Sequence, residues 1–160
     1  MNFALQIILV GIGATIAMDC WQLLLRALFN IPLTNWALAG RWFSYIPRGK
    51  FVHRTIAESA PVGFEAATGW IAHYVTGIIY AALYLILVSG IPDVGPSFLS
   101  ALAFGVITVV MPLCVLHPGM GMGLFSRLAQ KPNFVRLHTL SNHVVFGSGL
   151  YLAYSAVDSI

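Results

Sequence analysis

Four runs of apolar residues, about Phe3–Phe29, Phe64–Ser89, Ser97–Leu116 and Leu137–Val157, limit what this chain can become. A bilayer core takes about 20 apolar residues per helix, and each run reaches that length. Backbone polar groups at membrane depth must bond within their own segment, so such runs are read as helices. Composition removes the main alternative. The chain is 59% hydrophobic and 8% charged, against roughly 25% charged in an ordinary soluble domain. A soluble fold of 160 residues could not cover its surface with so few charges. The expectation is an all-α, integral membrane four-helix bundle, with residues 1–160 as a single transmembrane domain. Prolines 32, 47, 61, 92, 96, 118 and 132 fall between the runs, where proline belongs. Pro112 lies inside the third run and predicts a kink, with Thr108 or a neighbouring helix taking up the freed carbonyl.

Charge gives an orientation. Arg26, Arg41, Arg48, Lys50, Arg54, Arg127, Lys131 and Arg136 all flank the first or third loop, whereas the second loop, Gly90–Pro96, holds only Asp93. The positive-inside rule puts loops one and three in the cytoplasm and both termini in the periplasm. The start of the chain lacks the basic region of a cleavable signal peptide. Residues 35–45 carry Trp36, Trp42, Phe43 and Tyr45 among the basic residues. They predict a short interfacial helix in the first cytoplasmic loop, with aromatic anchors. Arg41, Arg48, Lys50 and Arg54 there are candidates to meet anionic lipid headgroups; the other reading of the segment is an anchor alone.

Two histidines stand in matching words, His73-Tyr-Val-Thr-Gly77 and His143-Val-Val-Phe-Gly147. The first and third runs also share Thr15-Ile-Ala-Met18-Asp-Cys20 and Thr108-Val-Val-Met111-Pro-Leu-Cys114. The chain reads either as two helix hairpins in parallel repeat or as a chance likeness of apolar sequence. An ionisable residue within a membrane span is a functional-site hypothesis by default. Counted from the nearest charged residue, Asp19, His73 and His143 each lie roughly 10–12 Å inward from the cytoplasmic edge, which predicts one polar layer. Thr15, Asp19, Gln22 and Arg26 form one helical stripe, expected to face the bundle interior.

Paired histidines with small neighbours suit haem, and imidazole with carboxylate suits a transition metal ion. The candidate cofactor set is His73, His143 and Asp19, with His117 and Cys114 added for a metal. Met120 and Met122 are soft ligands or apolar packing. Cys20 and Cys114 are buried thiols or soft ligands rather than a disulfide framework. His53 is expected in solvent or facing headgroups, and His138, five residues before His143, is expected to point roughly 140° away from it.

Four classes of function remain. The first is a cofactor protein for electron transfer or metal handling. The second is a proton-coupled small-solute transporter or transporter subunit, which with four helices predicts a homo-oligomer or a membrane-complex partner. The third is an enzyme on lipid or isoprenoid phosphate, with His143 or His73 as base but no recognisable catalytic motif. The fourth is a structural or accessory membrane protein. A nucleic-acid partner is set aside, since no basic-aromatic reading surface is present.

Several words are specific beyond composition: Gly11-Ile-Gly-Ala-Thr15 with Met18-Asp19, Asn35-Trp36 with Gly40-Arg-Trp42, and Pro47-Arg-Gly-Lys-Phe51 with His53. They continue with Gly69-Trp-Ile-Ala-His-Tyr74, Pro118-Gly-Met-Gly121, His143-Val-Val-Phe-Gly147 and Gly149-Leu-Tyr151. In these words the chain resembles a family of small bacterial inner-membrane proteins, domain of unknown function 2938. The resemblance implies a bacterial, integral membrane protein and supplies no catalytic residues.

Overall fold

The structure is a computed structural model that describes residues 2–91 and 95–159. Pro92 and Asp93, the mark of the second loop, lie outside the described residues. Among the described residues the chain is all helical, with no strand. Helix α1 spans Phe3–Phe29, its start capped by the Asn2 side chain, which accepts from the Ala4 N–H at 2.9 Å. It ends on Asn30 in the left-handed region, φ 54°, whose N–H returns to the Arg26 carbonyl, a stop that frees no buried carbonyl. Helix α2, Trp36–Tyr45, is capped by Asn35, whose side chain accepts from the Ala37 and Leu38 N–H groups; the segment expected at the interface is therefore helical. Helix α3 spans Glu65–Ser89. Helix α4, Phe98–Thr108, opens on Ser97 and Ser100, each hydroxyl taking the other's backbone N–H, a reciprocal cap.

Pro112 leaves a π-helical turn, Pro112–Leu116, rather than a simple bend, and the His117 N–H bonds back to the Pro112 carbonyl. Proline has no N–H for the α-helical ladder, and a wider turn absorbs the mismatch. The Thr108 hydroxyl, one of the two groups expected to take the freed carbonyl, donates instead to the Gly105 carbonyl at 2.6 Å. One helical turn, α5 (His117–Gly119), follows, and α6 spans Pro132–Asp158.

Three segments, Phe3–Phe29, Glu65–Ser89 and Phe98–Gly119, are long and apolar enough to cross a membrane. The fourth expected span lies within α6, which has the length, 27 residues, but not the same apolarity. Ser141, Asn142, His143, Ser148, Tyr151 and Tyr154 dilute it. Large apolar side chains such as Leu24, Ile71, Ile79, Ile86, Leu99 and Ile107 are exposed. Exposed apolar area on that scale marks a surface built for something other than water.

The chain forms two compact units, one of residues 1–33, 74–108 and 141–160, the other of residues 34–73 and 109–140. In the first, Val10, Ala14, Tyr84, Leu85, Phe146 and Leu150 sit in one buried cluster. Its helices meet through small residues. A Cβ on Gly77 would strike the Thr15 hydroxyl, and one on Gly105 would lie 2.6 Å from Gly147 Cα. Close backbone approach of this kind is also how helices associate in lipid, where the tails give no hydrophobic reason to do so. In the second unit, Trp42, Ile56 and Met120 form the core. There α2 lies directly on the start of α3, where a Cβ on Gly69 would overlap the Trp36 carbonyl.

Candidate functional site

The first unit holds a polar layer. The Tyr74 hydroxyl of α3 donates to Asp19 Oδ2 of α1 at 2.9 Å. His143 Nδ1 of α6 meets the Thr108 hydroxyl of α4 at 2.9 Å. A threonine hydroxyl has one proton to give, and Thr108 gives it to Gly105. The hydroxyl therefore accepts from His143, which fixes the proton of neutral imidazole on Nδ1 and leaves Nε2 as the lone-pair nitrogen. Register ties the pairs together. Gly149 packs on Ala14, and Trp21 Nε1 bonds Ser141 Oγ at 3.2 Å, so antiparallel α1 and α6 bring Asp19 level with His143. Asn142, next to His143, is buried, and its Oδ1 has no hydrogen-bond partner. A buried acceptor left unpaired costs about 1–3 kcal/mol.

The second unit is a clasp of buried polar groups. Arg41 of α2 is buried and forms a bidentate pair with Glu65 of α3, Nε to Oε2 and Nη2 to Oε1, both 2.8 Å. Its Nη1 reaches the carbonyls of Ile56, Ala57 and Ser59. This hydrogen bonding with Glu65 pushes the Arg41 pKa up, so the cation is permanent. Trp42 Nε1 donates to the Phe51 carbonyl at 2.8 Å. The His53 and Ile56 N–H groups donate to the carbonyls of Gly119 and Met120, which lays the first loop along the Pro118–Gly121 turn. His117 Nδ1 meets Ser126 Oγ at 2.6 Å, and Ser126 is wholly buried at φ 59° beside Phe125 at φ 50°. Two adjacent non-glycine residues in the left-handed region are strained, and these hydrogen bonds hold them there.

The sequence-derived candidates separate on this geometry. Asp19 and His143 stand in the polar layer of the first unit, and Thr15 and Gln22 of the same stripe are buried, while Arg26 is exposed. His73 lies in the second unit, its ring stacked on Trp36 with centroids 3.9 Å apart. His117 is buried on Ser126, and Cys114 falls in the π turn, whose wider pitch undoes the three-residue spacing to His117. Among the described residues no three His, Cys, Asp or Glu side chains gather where a metal ion could share them. Of the four basic candidates for lipid headgroups, Arg48, Lys50 and Arg54 are exposed. Arg41 is not, because Glu65 and the loop carbonyls hold it. His53 also differs from expectation. It is 3% exposed, with Nδ1 on Ser59 Oγ at 2.7 Å and Nε2 buried without a hydrogen-bond partner. Met120 is packed in the apolar core. Tyr74 escaped the sequence reading, although it follows His73 directly; an aspartate in a span needs a donor, and tyrosine is the nearest chemical candidate.

The chain matches the family model described as "Protein of unknown function (DUF2938)" over residues 8–157, and it belongs to that family. No curated protein and no solved structure matches it.

Proposed function

Taking the chain as a member of that family, we propose that it is a multi-pass protein of the bacterial inner membrane whose polar layer carries protons, coupled to passage of a small solute. In this reading α6 is the fourth span of a membrane four-helix bundle, its polar groups turned onto Thr108, Trp21 and its own backbone. Loops one and three are cytoplasmic, and both termini periplasmic. Asp19 exchanges the proton, with Tyr74 as its donor, and His143 relays through Nε2. The observation that carries the reading is the level placement of these two proton-exchanging groups beside the unpaired Asn142 acceptor. Ionisable groups held at membrane depth are costly and mark ion or substrate paths. Four helices enclose little, so the working form is a homo-oligomer or a subunit of a membrane complex.

The test is proton flux in proteoliposomes under an imposed pH gradient, with and without a pool of small solutes. Wild-type protein collapses the gradient, Asp19→Asn and His143→Ala hold it, and Tyr74→Phe slows the collapse. A wild-type flux equal to that of Asp19→Asn sinks the proposal. One observation favours a second reading. The Thr108 bond leaves the His143 lone pair on Nε2, as a haem or transition-metal ligand requires. His143 would then be one ligand of an electron-transfer or metal-handling site. An absorption spectrum and elemental analysis, beside the His143→Ala variant, decide it. Colour or metal lost in the variant supports this reading, and colourless, metal-free wild type removes it.

A further inference from the structure

The π turn and the first turns of α6 enclose an open groove of about 340 Å³, lined by Val109, Leu113, Leu137 and Leu140, with Asn133 and Arg136 as its polar members. We infer that this groove is a binding site for one anionic phospholipid, an acyl chain lying on the four aliphatic side chains and the phosphodiester on Arg136. The inference rests on the membrane reading but on nothing in the proton path.

Three features point to that ligand. First, the guanidinium is aimed before any ligand arrives. Its Nε donates to the Phe125 carbonyl at 2.7 Å and its Nη1 to Asn133 Oδ1 at 3.0 Å. These bonds fix the plane of the fork and leave Nη2 to point elsewhere. The Phe125 carbonyl that fixes it belongs to a residue held at φ 50°, and strained backbone of this kind is kept where the surroundings demand it. Second, the charge is unbalanced. Residues 109–140 carry Arg127, Lys131 and Arg136 and not one aspartate or glutamate. Lys131 and Arg136 also sit at the start of α6, whose first turn has no acid. The positive end of a helix dipole repels cations, so Lys131 and Arg136 stand near a helix start with no counterion from the same segments. Third, the rest of the wall is aliphatic. A free phosphate would gain nothing from Leu113, Leu137 and Leu140, whereas an acyl chain covers them. A guanidinium beside an apolar trough matches an amphiphile with a negative head.

The experiment is native mass spectrometry of the full chain released from detergent after equilibration with an equimolar mixture of phosphatidylglycerol and phosphatidylcholine. The wild type should retain one phosphatidylglycerol in clear preference to phosphatidylcholine. Arg136→Gln should reduce that retention about tenfold or more, the effect of losing one charge-assisted contact. Leu137→Trp alters an exposed side chain, so folding is spared, and it should block retention by filling the trough. Equal retention of both lipids, retention unchanged in Leu137→Trp, or a lipid-free dimer seated on this face would each overturn the inference. Protein that stays dispersed without detergent would instead remove the membrane reading beneath it.

Discussion

A guanidinium taken out of water must replace every partner it leaves behind. Arg41 does so with Glu65 and three carbonyls, and thereby ties α2, the first loop and the start of α3 into one piece. Breaking a buried pair from one side leaves the other charge stranded. Arg41→Gln and Glu65→Gln are each expected to destabilise the fold, and the double variant by less than their sum. Denaturant titration in detergent measures the cycle; additive losses would mean that the pair does not couple. His53 makes a prediction about pH. Burial, and after it the neighbouring Lys50 cation, hold its imidazole pKa below the ordinary value. Between that lowered value and about 6.5 the unfolded chain binds a proton that the folded chain refuses. Stability is therefore full above about pH 6.5 and is lost as pH falls through this window. Thermal unfolding at steps from about pH 7.5 to about pH 5 should show that fall in the wild type and a shallower one in His53→Gln. Equal slopes would mean that His53 is protonated in the fold. Neither behaviour was visible in the sequence. Arg41 and His53 stand in a run of basic residues, where exposure is the ordinary expectation, and only the path of the loop along Gly119–Gly121 buries them.

Elements meet here through missing side chains. Gly69 lets the Trp36 carbonyl sit against the α3 backbone, and that approach is what brings the Trp36 and His73 rings into a stack. Gly69→Ala should push α2 off α3, at about 2 kcal/mol or more, since neither backbone can yield as a side chain would. Gly63, with open space around its Cα, is the control, and Gly63→Ala should be close to neutral. Near-UV circular dichroism together with denaturant titration reads both the stack and the stability. An intact signature in Gly69→Ala would show that the crossing is looser than drawn. Helix positions were legible because apolar runs and prolines state them directly: α1 and α3 fall on the expected segments to within a residue. The π turn was not legible. Pro112 announces a disturbance, but whether the ladder bends or widens depends on what the helix packs against. The two matching words have similar surroundings. In each half Gly77 or Gly147, four residues after the histidine, packs on a helix whose threonine hydroxyl bonds back to a glycine carbonyl, Thr15 to Gly11 and Thr108 to Gly105. The histidines themselves then part ways, one to Trp36 and one to Thr108, because only the first half carries the inserted α2.

At the scale of the whole molecule, the proposed membrane reading predicts how many times the chain crosses. Three segments have the length and apolarity for it; α6 has the length alone. Its polar residues argue against insertion only if they face lipid. Ser141 is on Trp21, His143 on Thr108, and Ser148 on the Val144 carbonyl. Satisfied in this way they cost far less than their transfer energies suggest, since the penalty at membrane depth falls on unpaired groups. Charge placement then becomes decisive. With four crossings, the basic first and third loops share one side and the C-terminus returns to the other. With three, the C-terminus stays with the basic loops. Fusion of a phosphatase that is active only in the periplasm, and of a fluorescent protein that matures only in the cytoplasm, separates the two. After Ser159 the phosphatase should be active and the fluorescent protein dark; after Arg54 and after Lys131 the reverse should hold. Fluorescence at both Arg54 and Ser159 would leave three crossings and place α6 along the cytoplasmic surface. The polar layer of Asp19, Tyr74, Thr108 and His143 would then lose its fourth wall within the membrane, and proton passage through it would fail with it.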